Sequence, residues 1–288
     1  MFGSRIDYML LRTLAHDANI ASESDLNEDD TNPVVLESRL GGGQQRLERL
    51  RRVFGSGFPI DPDLRYLDVG CGEGEMPAAL ALAGCTSVTG VEIVERHAAA
   101  ADRLVQHAGL SDRVDIICQD IHAYSPAAPF DVVTSFDAFE HIDDPRSALE
   151  GMRRLVAPGG LAILAFGPLF RHPFGDHMAG FFRVPIPWRG VLFSEQALLR
   201  VRREFYRPTD PAERLQDIVG GLNLMRFSEF LEYVEETGWK VQWMSVNPGT
   251  ARLKPLHWLS EGLLRVPGVR DYVAGHVYAV LRDRRAAG

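Results

Sequence analysis

With 288 residues, 45% apolar and 24% charged, the chain has ordinary globular composition and enough length to bury a core without disulfides or a structural metal. Its three cysteines, Cys71, Cys85 and Cys118, show neither a CxxC pair nor metal-ligand spacing and read as reduced thiols of a cytoplasmic protein. A net charge of −8 disfavours nucleic acid as a partner, no apolar run approaches the ~20 residues of a membrane span, and Met1–Arg12 is too interrupted by charge for a signal peptide.

In chain order, residues 1–54 are expected to form an N-terminal extension with helices, a candidate lid, ahead of a main domain over 55–288. The apolar stretch Tyr8–Leu14 precedes an acidic run, Glu23–Asp30, that reads as exposed. Residues 44–54 carry Leu47, Leu50 and Phe54 at helical spacing, and Gly55–Pro62 reads as a loop. From residue 65 short apolar runs alternate with helical stretches. Strands are predicted at Tyr66–Val69, Ser87–Val91, Val114–Cys118, Phe130–Ser135 and Leu161–Phe166. Helices are predicted at Glu75–Ala83, Glu95–Ala108 and Pro145–Val156. Continuous apolar strands joined by helices imply an α/β fold, a doubly wound, mostly parallel, Rossmann-like sheet. Residues 168–227 break the rhythm with prolines and aromatics, and form an insertion after the fifth strand. Ser228 is predicted to cap a helix through Thr237. Strands at Trp239–Val246 and His276–Leu281 then flank a short helix at His257–Arg265.

The chemistry is concentrated in the turn Val69-Gly-Cys-Gly-Glu-Gly74, which lies between a strand and a helix. Glycines there let backbone approach a ligand, and the next helix presents free N–H groups. A dinucleotide fold calls for G-x-G-x-x-G, but Glu75 occupies the position of its third glycine. With Asp68 inside the strand as well, the turn suits a ligand with little or no phosphate. Glu92, at the end of the second strand, is placed to accept ribose hydroxyls, with Ile93 beside it. Asp120, after the third strand, can accept from an exocyclic amine while Ile121 covers a purine face.

These residues resemble the core of the class I S-adenosylmethionine-dependent methyltransferases, from about Tyr66 to Pro168. The resemblance implies S-adenosyl-L-methionine as cofactor. It implies a site built from Asp68, Gly70, Cys71, Gly72, Gly74, Glu92, Ile93, Asp120, Ile121 and Phe136. The run Phe130–Pro145 is similar to the family's fourth strand and following loop, and Val156–Leu161 to its approach to the fifth strand. The family fold ends in an antiparallel pair of strands, which Trp239–Val246 and His276–Leu281 supply, giving seven strands in all.

Methyl transfer from a sulfonium needs in-line alignment, exclusion of water and, for a hydroxyl acceptor, a base. His177, His141 and His172 follow the fifth and fourth strands, on the side where open α/β sheets bind ligands, and His177 leads as the candidate base. His172, Asp176 and His177 are also metal-ligating types, but with no further ligand in view no metal is assigned. His16, His97 and His107 lie outside the expected cleft. Phe170, Phe174, Phe181, Phe182, Trp188 and Phe193 give the insertion the character of an acceptor pocket for a small apolar or aromatic molecule, and Arg171, Arg183 and Arg189 leave room for an anionic group on it. The expected activity is O-methylation of a small molecule. Its alternatives are C-methylation, a macromolecule modifier acting on RNA or protein, a non-catalytic S-adenosylmethionine-binding module, and a nicotinamide oxidoreductase, against which Glu75 stands.

Overall fold

A computed structural model describes residues 4–15, 31–178, 182–208, 211–218, 222–249 and 254–285. His16, Phe181 and the acidic run 23–30 lie outside the described residues. The chain runs α1 (Ser4–Leu14), α2 (Pro33–Phe54), β1 (Arg65–Val69), α3 (Glu75–Leu82), β2 (Ser87–Glu92), α4 (Glu95–His107), β3 (Val114–Cys118) and β4 (Phe130–Phe136). It continues through α5 (Pro145–Leu155), β5 (Val156–Phe166), α6 (Arg189–Leu192), α7 (Glu195–Phe205), α8 (Phe227–Glu236), β6 (Trp239–Val246), α9 (Lys254–Leu264), α10 (Arg270–Val273) and β7 (Val277–Asp283).

The strands form one seven-stranded sheet in the order β3-β2-β1-β4-β5-β7-β6. Neighbours from β3 to β5 are parallel, and β7 is antiparallel to both β5 and β6. The expected doubly wound sheet with a terminal antiparallel strand is the one observed. Strand order reverses at β1, where β2 lies on one side and β4 on the other, so the cleft beyond its carboxyl end is the topological place for a ligand. One face of the sheet buries Phe139, Leu149, Met152, Phe166, Phe230 and Trp239, and the Trp239 indole N–H donates to the Leu149 carbonyl at 3.0 Å. The other face buries Leu36, Leu47, Leu50 and Phe54 of α2 against Leu80 and Leu104.

Several boundaries differ from the sequence expectation for physical reasons. Helix α2 begins at Pro33, not at residue 44. Asn32 caps it by accepting from the Val34 N–H at 2.9 Å, and Pro33 sits in the first turn, where no N–H is required. Three glycines at 41–43, ahead of the predicted start, lie within the helix. A Cβ on Gly43 would lie 2.5 Å from the Glu75 carbonyl oxygen, so glycine allows α2 to pack directly on the start of α3. Strand β5 begins at Val156 rather than Leu161, with an irregular register between Phe130 and Val132 absorbing Pro158-Gly-Gly160. Ser228 does not cap α8. That helix starts at Phe227 behind Arg226, whose backbone N–H and guanidinium both donate to the Glu229 carboxylate, while Ser228 donates to Asp271 through both its N–H and its hydroxyl.

The insertion after β5 builds a third small core, with Phe182, Leu198, Val201 and Tyr206 packed on Tyr8 and Leu11 of α1. Asp7, fully buried, accepts from the Ser194 N–H at the start of α7 at 2.9 Å. Glu204 of α7 takes a hydrogen bond from Tyr8 and an ion pair from Arg12. The N-terminal helix and the insertion are therefore one packed unit, while α2 belongs to the sheet.

Candidate active site

The glycine turn leaves β1 at Val69. Gly70, Gly72 and Gly74 all have positive φ, at 70°, 55° and 85°. Gly70 and Cys71 donate backbone N–H groups to the Val91 carbonyl, which ties the turn to β2. A Cβ at Gly72 would meet nothing within 4 Å, so its Cα edge faces open space. Gly74 lies beneath, where a Cβ would strike Ala101 at 2.8 Å, and so brings α3 onto α4. A cavity of about 190 Å³ opens at the turn, lined by Asp68, Gly70, Cys71, Gly72 and Phe136 together with Arg46, Glu73, Glu75, Met76 and Asp137.

Asp68 is buried and accepts from the Thr134 hydroxyl of β4 at 2.6 Å. Burial pushes its pKa up to about 7, against the opposing pull of Thr134 and Arg46. Glu92 is also buried, and its two oxygens accept from the Gly72 and Val94 N–H groups, each at 2.9 Å. Its carboxylate thus fixes the turn from the neighbouring strand while its remaining lone pairs stay available. Ile93, 66% exposed, and exposed Asp120 stand at the carboxyl ends of β2 and β3. Asp120 accepts from the His122 N–H at 2.7 Å, and Ile121 is half-buried. Gly74, Glu92, Ile93, Asp120 and Ile121 are outside the lined cavity, the last three further along the same end of the sheet.

Two residues of this cleft escape sequence reading. Arg46 of α2 reaches over the turn to form an ion pair with Asp137, the first residue after β4. Asp137 itself has a positive φ of 50°. In the sequence Arg46 is one arginine of a polar helix face, and nothing marks it until α2 is docked.

The histidines gather next to this cleft. His141, in the short turn after β4, and His177 meet edge to face with ring centroids 5.7 Å apart. His177 has a φ of 54°, and its Nε2 lies 3.3 Å from the Pro168 carbonyl, just past the cis Gly167–Pro168 bond. A carbonyl only accepts, so that contact puts the proton on Nε2 and leaves the Nδ1 lone pair free. Crowding by protein on one side of the ring lowers the His177 pKa, and its Pro168 contact opposes this. Glu140, beside His141, is buried and accepts from the Gly167 N–H at 2.9 Å, and burial raises its pKa.

A second cavity, about 380 Å³, is lined by His172, Asn247, Pro248, Gly249, His276 and Tyr278. Burial and His276 hold His172 down to about 4, and burial also lowers His276. Asn247 holds this wall together. Its Oδ1 accepts from Gly275 at 2.8 Å, and its Nδ2 donates to the Val273 carbonyl at 2.7 Å. Here His276, first residue of a predicted strand, turns out to be a lining group, and most of the wall comes from the connection between β6 and β7, not from residues 168–227.

The insertion's own features are used differently from expectation. Arg189, read as a partner for an anionic acceptor, is fully buried in a two-pronged ion pair with Asp176, both contacts at 2.7 Å, and stacks on Phe182. Asp176 is thereby engaged and not poised beside His177. Among the described residues no group of three or more His, Cys, Asp or Glu is arranged to hold a metal ion. Phe182 is buried in the small core, and Phe170 and Phe193 pack on it. Arg171 stacks on Tyr272, and only Phe174 and Trp188 of the described insertion aromatics remain substantially exposed.

A doubly wound sheet with an acidic cleft at its reversal point and a glycine turn lacking the third dinucleotide glycine is a methyltransferase-type Rossmann-like domain. Residues 67–164 match the family described as the methyltransferase domain. Over 109 residues the chain is 37% identical to the ubiquinone biosynthesis O-methyltransferase of Pseudomonas syringae pv. tomato, covering 38% of this chain and 46% of that one. The chain thus spans less than half the length of the curated relatives it matches. Among solved structures, the cyclase SpnF gives a TM-score of 0.54 at 19% identity over 85% of this chain and 82% of that one. Geranyl diphosphate C-methyltransferase from Streptomyces coelicolor gives 0.52 at 16% identity over 83% and 79%. These two share the fold, and a cyclase beside a methyltransferase is a reminder that the fold alone does not fix the reaction. Residues 67–164 are thus similar to a methyltransferase domain, set within a fold that the chain shares with solved methyltransferase structures.

Proposed function

We propose that this protein transfers a methyl group from S-adenosyl-L-methionine to an oxygen of a small acceptor. The observation that carries the reading is the order of carboxylates along the carboxyl ends of β1, β2 and β3: Asp68, Glu92 and Asp120 beside an open glycine turn. The donor set fits the cofactor. A buried carboxyl at Asp68 has no full cationic partner of its own, and the turn offers open backbone at Gly72. Asp120 and Ile121 would hold the adenine, and Glu92 the ribose hydroxyls. Gly70, Cys71, Gly72, Phe136 and Arg46 would hold the methionine part. When bound, the cofactor supplies an electrophilic methyl group on a sulfonium.

The chain's own part is to position the acceptor and take its proton. The cavity of His172, Asn247, His276 and Tyr278 would admit a small molecule beside His141 and His177. His177 would accept the hydroxyl proton at Nδ1, with Pro168 orienting the ring through Nε2. A lowered pKa keeps that lone pair free at neutral pH. The O-methyltransferase names of the relatives support oxygen as the atom modified, over the aligned core only. Calorimetry with S-adenosylmethionine and with NAD tests the reading, and absence of binding by the first would sink it.

A further inference from the structure

We infer that α9 and the turn after it form a docking surface for an anionic lipid bilayer, next to the mouth of the second cavity. A surface helix ordinarily turns polar groups outward, as α7 does with Gln196, Arg200, Arg203 and Glu204. Helix α9 does the reverse. Its exposed positions include Pro255, Trp258, Leu259 and Gly262, and the turn after it exposes Arg265, Val266 and Val269. Trp258 is 75% exposed, Leu259 59%, Val266 44% and Val269 37%. Its inner side is already packed, with Leu264 on the main core and Ser260 bonded to Asn247 at 3.3 Å. The outer apolar stripe is therefore surplus to the fold.

Charge identifies the occupant. Between residues 252 and 270 the sequence holds Arg252, Lys254, Arg265 and Arg270 against a single acid, Glu261, in a chain of net charge −8. The neighbouring Asp271 is buried and taken up by Ser228. Exposed tryptophan and leucine with the exposed Arg265 beside them, in a stretch of sequence rich in cations, is the pattern of a segment that lies in a headgroup region, where the apolar groups insert and the cations meet anionic lipid.

Position supports the same assignment. Asn247 lines the second cavity and bonds both Ser260 of α9 and the Val273 carbonyl of α10. Two further exposed rings stand nearby. Trp188 donates its indole N–H to the Tyr272 carbonyl at 2.9 Å, and Phe174 lies against His172 with ring centroids 6.3 Å apart. An apolar rim next to a cavity mouth would let a membrane-dissolved acceptor enter without crossing water. That last step rests on the methyltransferase reading; the docking itself does not.

The test mixes the full chain with phosphatidylcholine vesicles, with and without phosphatidylglycerol, and reads co-sedimentation and tryptophan emission. Binding and a blue shift are expected with the anionic vesicles, weakening as salt rises. Trp258→Glu should lower the partition coefficient by about tenfold or more, and Arg265→Glu should lower it on anionic vesicles alone. Both positions are exposed, so unchanged melting curves are expected to show that the variants fold. Failure to bind either vesicle, or equal binding by Trp258→Glu, would overturn the proposal. So would a concentration-dependent dimer, abolished by Trp258→Glu, without vesicle binding, since that assigns the face to a second copy. Calorimetry of S-adenosylmethionine on the same variants should give wild-type affinity, so a failed docking surface and a failed cofactor site register separately.

Discussion

The two halves of the cleft are built on different principles. The glycine-turn half takes its carboxylates from three consecutive strands, with Glu92 bracing Gly72, and adds Phe136 and Asp137 from the end of β4 and Arg46 from α2. The histidine half draws on the turn after β4, the insertion, the β6–β7 connection and β7, so His172 meets Gly275 and Asn247 only when the sheet is complete. A ligand common to a large family can be held by a short local unit, whereas the acceptor side is assembled by tertiary packing and is free to vary.

That contrast can be broken at specific points. The largest effect is expected from His177→Ala, which should reduce kcat by about 10²–10⁴-fold if this ring is the base, with cofactor affinity unchanged by calorimetry. Full turnover would move the role to His141 or abolish it. The acid limb of the pH–rate profile should fall below the ordinary imidazole value of 6.5, because the folded pKa is lowered and the neutral ring persists to lower pH. Next, Asp176→Ala leaves the buried Arg189 guanidinium without its partner. A loss of about 3–5 kcal/mol in denaturant unfolding is expected, and an unchanged midpoint would mean the insertion is not held by this pair.

Smaller effects belong to the cofactor half. Glu92→Ala should weaken S-adenosylmethionine binding by about 1–3 kcal/mol, since both the proposed ribose acceptor and the brace on Gly72 are lost. Asp68 gives a pH signature. Its carboxyl moves from 3.8 to about 7 on folding, so between those values the folded chain holds a proton that the unfolded chain releases. Its contribution to stability is present at low pH and is lost as pH rises through that window. A cationic ligand favours the ionised form. Affinity should therefore climb toward neutrality by up to about tenfold per pH unit and then level off, with a flat profile in Asp68→Asn.

Sequence legibility follows the same division. The strands, the glycine turn and Glu92 at the end of the second strand could be located because each rests on local pattern: apolar runs, turn chemistry and a spacing of about 20 residues. The start of α2 could not, because Gly41–Gly43 are poor helix formers and only the approach of Gly43 to Glu75 gives them a role. Arg46 looked like any solvated arginine, and its partner Asp137 is 91 residues away. The same holds for Arg189, whose charge suggested an acceptor anchor when in fact Asp176 and Phe182 enclose it. His276 carried no signal because the first residue of a strand is usually only that. What fails to show in sequence is any role that depends on which distant element is laid alongside.

The contact between Asp7 and the start of α7 has a consequence for synthesis. The two residues are 187 positions apart, so at ribosomal rates of about 5–20 residues per second α1 exists for roughly 10–40 s before its partner emerges. Through that interval Tyr8 and Leu11 lack the insertion residues that they pack against in the folded chain. The sheet can form early, but the unit that α1 shares with the insertion is sealed late, which makes it the stage at which a chaperone would have most to shield.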